Sequence, residues 1–474
     1  MKSEANKFFA AQAWVRGGWA HDVLLTVADD GRWHRVQPNA TAAEQAGAIR
    51  LQGPVLPGLV NAHSHAFQRA IAGLTERRGP GTAAAADDFW SWRERMYSAA
   101  GRISPDQLEA IASLLYAELL AGGYTQVCEF HYLHNGVDGA PYADPAEMAL
   151  ALARAARRTG IGLTLLPTLY MRSGFAASGL RDEQRRFAST PDSVLRVVEQ
   201  IRRLGDSRIH AGVAVHSLRA ASPAALSELA AAAKQARLPL HLHIAEQTQE
   251  VADCIAHTGQ RPIDWLLNHA EVDARWHLVH ATHATPVELA ALQASGASVV
   301  LCPATEANLG DGVFDLPAYA ATGGRWSVGS DSQVTRSWPE ELRLLEYSQR
   351  LSLRQRNIAA RVCGHESSAA ALFEAALASG AAASGQALGG LAPGNRADFV
   401  TLDLQAPALL GVPPEQLLDA QVFSSPAAAF GEVFVAGRRV VVDGRFVGVR
   451  QDAAAWPQLA RDFSRAMQAL WAGA

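Results

Sequence analysis

The sequence predicts an α/β protein: a (β/α)8 TIM barrel with a small β-sandwich assembled from both chain termini. Three observations lead there. Eight short apolar, β-rich runs between about residues 55 and 360 alternate with segments apolar at helical spacing. Several of those segments open on a hydroxyl residue followed by proline. Alternating β-branched pieces return at both ends, each too small to bury a core alone.

In chain order, strands are expected over Val55–His65, Tyr124–Tyr132, Ile161–Tyr170, Ile209–Leu218, Leu238–Glu246, Trp276–Thr282, Ala297–Thr305 and Trp326–Ser332. Helices are expected over Pro105–Ala121, Asp144–Arg158, Pro223–Arg237 and Pro286–Ala294. Ser104-Pro105, Ser222-Pro223 and Thr285-Pro286 each put a capping hydroxyl before proline at the first helical position. Strands joined through helices run parallel, and eight of them suggest closure into a barrel. An open doubly wound sheet is the alternative, but no GxGxxG follows the first strand.

The ends carry Ala13–Val15, Val23–Val27 and Trp33–Val36 on one side, and Asp398–Leu402, Glu432–Ala436 and Arg439–Val442 on the other. Asp443-Gly444 reads as a hairpin turn. The expected divisions are 1–55 and 386–450 for the sandwich, 56–385 for the barrel and 451–474 for a C-terminal helix.

Composition narrows the function classes. The 474 residues are 49% hydrophobic and 19% charged, ample for a large core. A formal charge of -4 gives no footprint for nucleic acid or an anionic membrane surface. No apolar stretch approaches the roughly 18 residues of a membrane helix. Lys2 and Lys7 precede Phe8–Trp14, but Gln12 breaks that run, which reads as a strand rather than a signal peptide. Cys128, Cys254, Cys302 and Cys363 are scattered with no CxxC, as expected for reduced thiols in a cytoplasmic protein.

The chemistry sits at strand ends. His63 and His65 close the first strand at i and i+2, so both point to one side. His243 ends the fifth strand with Glu246 three residues on, His280 ends the sixth, and Asp331 ends the eighth. Barrel enzymes build their sites at this C-terminal face. An isolated histidine is usually a packed or solvated side chain, and His131, His134, His210, His257, His269, His277 and His365 are read so. His241 shares a face with His243 but lies deeper, and is expected to pack inside the barrel. The converging group differs, because imidazoles and carboxylates crowded at one mouth desolvate badly without a cation. Three imidazoles and one carboxylate form an ordinary zinc shell with one open position.

This pattern resembles the amidohydrolase superfamily: HxH after strand one, histidines after strands five and six, and aspartate after strand eight. Binuclear members bridge their metals with a lysine at the end of strand four. Here strand four ends Val215-His216-Ser217, and the only lysines are Lys2, Lys7 and Lys234, the last inside the following helix. The expectation is therefore one Zn2+ per subunit, held by His63, His65, His243 and Asp331. In that shell zinc makes water acidic near neutral pH. Asp331 is expected to accept the water's proton, Glu246 to protonate the substrate nitrogen, and His280 to orient the water or stabilise the tetrahedral intermediate.

A closer resemblance covers essentially the whole chain. Asn61-Ala-His-Ser-His-Ala-Phe-Gln-Arg69, Phe89-Trp-Ser-Trp-Arg-Glu94, Glu129-Phe-His-Tyr132, Ala214-Val-His-Ser-Leu-Arg219, His241-Leu-His-Ile-Ala-Glu-Gln247, Leu278-Val-His-Ala-Thr-His283 and Gly329-Ser-Asp-Ser332 look like the formimidoylglutamate deiminases of histidine degradation. The resemblance implies hydrolysis of N-formimidoyl-L-glutamate to N-formyl-L-glutamate and ammonia by a cytoplasmic homodimer. It implies substrate contacts from Gln68, Arg93, Tyr132, His216 and Arg219. Two arginines suit a dicarboxylate, since each can clamp a carboxylate through two hydrogen bonds. Arg93 sits in a long loop that could reach a neighbouring subunit's site.

Two departures stand out. Gln333 occupies a position where histidine is expected, and Gly79–Ala86 looks like an insertion. Both are expected to border the pocket without touching the metal shell. Another mononuclear deaminase, acting on an aminopurine or pterin, and an inactive scaffold barrel are the other readings that the sequence leaves open.

Overall fold

The structure, a computed structural model, describes residues 6–77, 88–424 and 429–472. Eight parallel strands run in sequence order around the barrel: Leu59–Ser64, Tyr124–His131, Gly162–Leu169, Val213–Ser217, Leu240–Ile244, Trp276–His280, Ser298–Leu301 and Arg325–Val328. We number them barrel strands one to eight. A short extra strand, Ile209–Ala211, pairs with strand three just before strand four. The barrel prediction therefore holds, and the open-sheet alternative does not.

Helix starts follow the local rules. Ser104, Ser222 and Thr285 each accept a backbone N–H from the third helical residue, with proline at the helix entry. The helices they open span Pro105–Ala121, Pro223–Ala236 and Pro286–Ser295. Several run boundaries differ from expectation: Ile209–Leu218 is two short strands, and the eighth run stops at Val328. Val55–His65 is two strands, with Val55–Pro57 in the other sheet and Leu59–Ser64 in the barrel. The seventh run stops at Leu301, because Pro303 opens a helix over Pro303–Leu309.

Both chain ends contribute to a second, nine-stranded sheet. From the N-terminal side come Asn6–Val15, Gly18–Val27, Trp33–Gln37, Ile49–Arg50 and Val55–Pro57; from the C-terminal side come Phe399–Leu402, Phe430–Val435, Arg438–Val442 and Arg445–Phe446. Phe399–Leu402 pairs antiparallel with Val55–Pro57 and joins the two halves. Successive residues face opposite ways along a strand. Ala13, Val55 and Phe399 enter a separate core with Phe8, Leu25, Trp33 and Phe434, whereas Trp14, Leu56 and Val400 enter the main core of the barrel. This sandwich-like domain thus buries one sheet face within itself and the other against the barrel. The Asp443-Gly444 turn has φ of 48° and 69°, both in the left-handed region that a tight hairpin requires. A helix over Ala455–Trp471 follows.

Candidate metal and substrate site

The barrel closes where its chemistry lies. Asp331 donates its backbone N–H to the carbonyl of His63 at 3.0 Å, and His65 donates to the carbonyl of Asp331 at 3.2 Å. Gly329 permits this approach, since a Cβ there would stand 2.7 Å from the His63 Cβ, N and O atoms. Closure therefore brings the strand-eight carboxylate beside the strand-one histidine pair. Ala245, His280, Ala281, Asp331 and Gln333 all have φ between 45° and 70°. Left-handed non-glycine residues cost roughly 1–3 kcal/mol each and gather where geometry serves function.

Donor atoms gather there in two overlapping sets, His63 with His65 and Asp331, and His63 with His243 and His280. His63 Nε2 lies 3.0 Å from His243 Nε2. Asp331 Oδ1 lies 3.4 Å from His63 Nε2 and 3.3 Å from His65 Nε2. The edge of a tetrahedron with zinc–nitrogen arms of roughly 2.0–2.1 Å is about 3.3 Å, so these spacings fit a zinc shell. His65 donates Nδ1–H to the Phe130 carbonyl at 2.8 Å, and His243 donates Nδ1–H to the His216 carbonyl at 2.8 Å. Each then presents a bare Nε2 lone pair inward, as backbone-oriented metal ligands do. Burial, followed by the neighbouring imidazoles, lowers His63 and His243 well below the usual histidine range. Burial also lowers His65, against the pull of Asp331. Neutral imidazoles are the form that ligates metal.

Beside this group lies an acid–base pair. His280 Nε2 is 3.6 Å from Glu246 Oε1 and 3.8 Å from Asp331 Oδ2. Burial raises Glu246 to about 7, against the opposing pull of His280. Burial also works to lower His280, but Glu246, Glu306 and Asp331 outweigh it and hold the imidazole at about 10. A proton is therefore retained within the pair near neutral pH. Cys302 is buried next to His280 and Asp331, and its thiol is pushed well up by burial.

The helix Phe89–Ala100 lies over the mouth and carries Arg93 into the cavity of its own chain, opposite Arg219. Asp88 caps that helix by accepting the N–H groups of Trp90 and Ser91. The guanidinium carbons of Arg93 and Arg219 sit 4.4 and 5.4 Å from the Trp90 ring. Stacking on one indole holds two like charges near each other. Arg219 is 8% exposed, and its nearest carboxylate is Glu250, 3.8 Å away. Arg93 Nε and Arg219 Nη1 are buried without a hydrogen-bond partner. Gln68 donates to the Tyr132 hydroxyl at 3.2 Å, and His216 packs against Tyr132, Tyr170 and His243. All five residues expected to contact substrate line this one cavity with His65, His243, Glu246, His280 and Asp331.

Other expectations separate. His241 is fully buried and hydrogen-bonds through Nε2 to the Ala383 carbonyl, below the site. Lys234 lies on the surface, paired with Glu271 at 2.6 Å. The expectation for Gln333 is corrected. It is fully buried and donates through Nε2 to the Asp331 carbonyl at 2.7 Å and to Ser64 Oγ at 3.0 Å. It thus braces the backbone of the proposed metal residues and is not among the cavity-lining side chains. The Gly79–Ala86 stretch lies outside the described residues.

Sequence reasoning missed Glu306 and the aromatic wall of Tyr97 and Tyr170. Glu306 directly follows the run Ala297–Thr305 read as strand, whose second half is instead the start of a helix. Tyr97 follows Arg93 by one helical turn, a spacing that does signal a shared face.

The amidohydrolase family model matches residues 55–445. A formimidoylglutamate deiminase of Pseudomonas aeruginosa is 47% identical over 452 residues, covering 95% of this chain and 98% of that protein. The crystal structure of an amidohydrolase from Brucella melitensis superposes with a TM-score of 0.90 at 41% identity, covering 98% and 99% of the two chains. An adenosine deaminase from Xanthomonas campestris with bound zinc shares the fold, with a TM-score of 0.76 at 24% identity and coverage of 98% and 99%.

Proposed function

This chain belongs to the amidohydrolase family, and from that footing we propose that it hydrolyses N-formimidoyl-L-glutamate to N-formyl-L-glutamate and ammonia, a step of histidine breakdown. One observation carries the reading beyond family. Arg93 and Arg219, each with a buried nitrogen that makes no hydrogen bond, share the Trp90 ring and line the same cavity as the histidine–carboxylate group. A small substrate with carboxylates at one end and an amidine at the other satisfies both groups at once.

His63, His65, His243 and Asp331 would hold one Zn2+ per subunit, with no lysine at hand among the described residues to bridge a second. When bound, zinc supplies the Lewis acidity that makes water a nucleophile near neutral pH. Glu246 Oε1 is set to deliver a proton to the imino nitrogen as the water's oxygen bonds to the amidine carbon. The proton that Asp331 takes from that oxygen then passes to the nitrogen, which leaves as ammonia as its C–N bond breaks. His280 Nε2 faces the same space and donates to oxygen as negative charge develops there. Arg93 and Arg219 orient the dicarboxylate end, and the helix that carries Arg93 excludes water. Among the described residues no helix is long and apolar enough to cross a membrane, and the four cysteines are free, which suits a reducing cytoplasm.

The test is ammonia release by the purified zinc-loaded protein from N-formimidoyl-L-glutamate, guanine and adenosine. Turnover is expected with the first alone. Preference for a purine would replace this reading with an aromatic-base deaminase, and no turnover with zinc below about half an equivalent would point to a scaffold.

A further inference from the structure

His280 is held from behind by a carboxylate that faces away from the cavity. Its Nδ1 lies 3.3 Å from Glu306 Oε1, on the ring edge opposite the Nε2 that faces Glu246 and Asp331. Glu306 is 5% exposed and belongs to the helix Pro303–Leu309 that follows barrel strand seven. The same Oε1 accepts the Cys302 backbone N–H at 2.9 Å, which anchors the carboxylate to the end of that strand. Glu306 is absent from the cavity lining, so it cannot touch a substrate seated there.

We infer that Glu306 is a positioning residue for catalysis: by accepting the Nδ1 hydrogen of His280 it fixes the imidazole so that Nε2 alone faces the reacting atoms. The physical need is clear. His280 sits at φ 70°, so its backbone direction is already committed, and only ring rotation remains free. A flip about the bond to the ring exchanges Nδ1 with Cδ2 and Nε2 with Cε1, and so takes the donor away from the reacting atoms. A charged acceptor on the far edge removes that freedom, the arrangement by which a carboxylate fixes histidine orientation in hydrolytic triads.

The neighbouring residue gives the brace a second attachment. Thr305 Oγ1 lies 2.9 Å from Ser332 Oγ and accepts the Ser332 N–H at 3.2 Å. Thr305 and Glu306 therefore tie one short helix to both the Asp331 loop and the His280 ring. Displacing the helix would misplace both groups together.

The kinetic consequence rests on the deiminase reading, whereas the state of the His280 ring can be observed without substrate. Glu306→Ala and Glu306→Gln should be compared in the zinc-loaded protein by steady-state kinetics, zinc content and 15N-edited histidine NMR. The alanine variant is expected to lose about a hundredfold in kcat, with KM and zinc content within about threefold of the parent. Its His280 Nδ1–H signal, protected in the parent, should vanish or exchange rapidly. The glutamine variant keeps a neutral acceptor and should retain the protected signal and at least about a tenth of kcat. Should alanine prevent folding, the glutamine variant decides through the same two readouts. An unchanged Nδ1–H signal in the alanine variant, or its absence in the glutamine variant, overturns the role whatever the substrate. Equal kcat in the parent and the alanine variant overturns it as well.

Discussion

Asp331 and His63 meet twice: the aspartate N–H bonds to the histidine carbonyl at 3.0 Å, and its carboxylate faces the imidazole at 3.4 Å. The backbone contact sets the side-chain contact, since the same closure carries both. Gly329→Ala should disturb the two together, because its new Cβ would fall 2.7 Å from three His63 atoms. We expect a loss of about 2 kcal/mol in stability and weakened zinc retention, read as a lower Tm and less zinc after dialysis. A variant with the parent's Tm and zinc content would detach barrel closure from the site.

Arg219→Ala should lower kcat/KM for N-formimidoyl-L-glutamate about a hundredfold, or roughly 3 kcal/mol, while zinc stays bound. Arg219→Lys should not restore it, because an ammonium lacks the planar fork and the indole stacking. Steady-state kinetics with metal analysis checks both, and an unchanged kcat/KM in Arg219→Ala removes the residue from substrate binding.

Glu246→Gln keeps the shape of the site but cannot carry a proton. Its kcat should fall by at least about a hundredfold with zinc retained. Chelation of the parent should abolish turnover, and added zinc should restore it. Full activity in the glutamine variant would assign proton delivery elsewhere.

His134 gives the fold an acid-sensitive term. Burial lowers it to about 4, although the Thr168 carbonyl, accepting its Nε2–H at 2.8 Å, opposes the shift. Between pH 6.5 and 4 the unfolded chain binds this proton and the folded protein does not. Stability from His134 is thus complete above about pH 6.5 and is lost as pH falls toward 4, by up to about 3 kcal/mol. His134→Gln should show a smaller fall in Tm between pH 7 and 4.5 than the parent. Parallel Tm curves would show that the histidine takes up its proton without cost.

The legible part of this molecule is what periodicity and strand ends encode. His63, His65, His243, His280 and Asp331 were found because polar residues ending apolar strands mark the barrel mouth, and a parallel barrel brings those ends together. Glu306 escaped because Cys302-Pro303 breaks the seventh run without a hydroxyl cap before the proline, the signal that exposed other helices. Gln333 was misplaced because sequence gives its distance from Asp331 along the chain but not the left-handed turn, φ 68°, that sends it beneath the site. Val55–His65 was read as one strand because both halves are apolar. Gly58 divides them: a Cβ there would collide with Thr125, so only glycine lets the chain pass between sheets.

That division has a consequence for biosynthesis. Val55–Pro57, separated from Asn61 and the histidine pair only by Gly58, Leu59 and Val60, is held by Phe399–Leu402 from the far end of the chain. While the ribosome is still making residue 300, Val55–Pro57 lacks its partner Phe399–Leu402, and the strand bearing His63, though Tyr124–His131 is already made, lacks its barrel neighbour Asp331. A vectorially growing chain therefore carries the first two of the histidines proposed to hold zinc apart from Asp331 through most of synthesis.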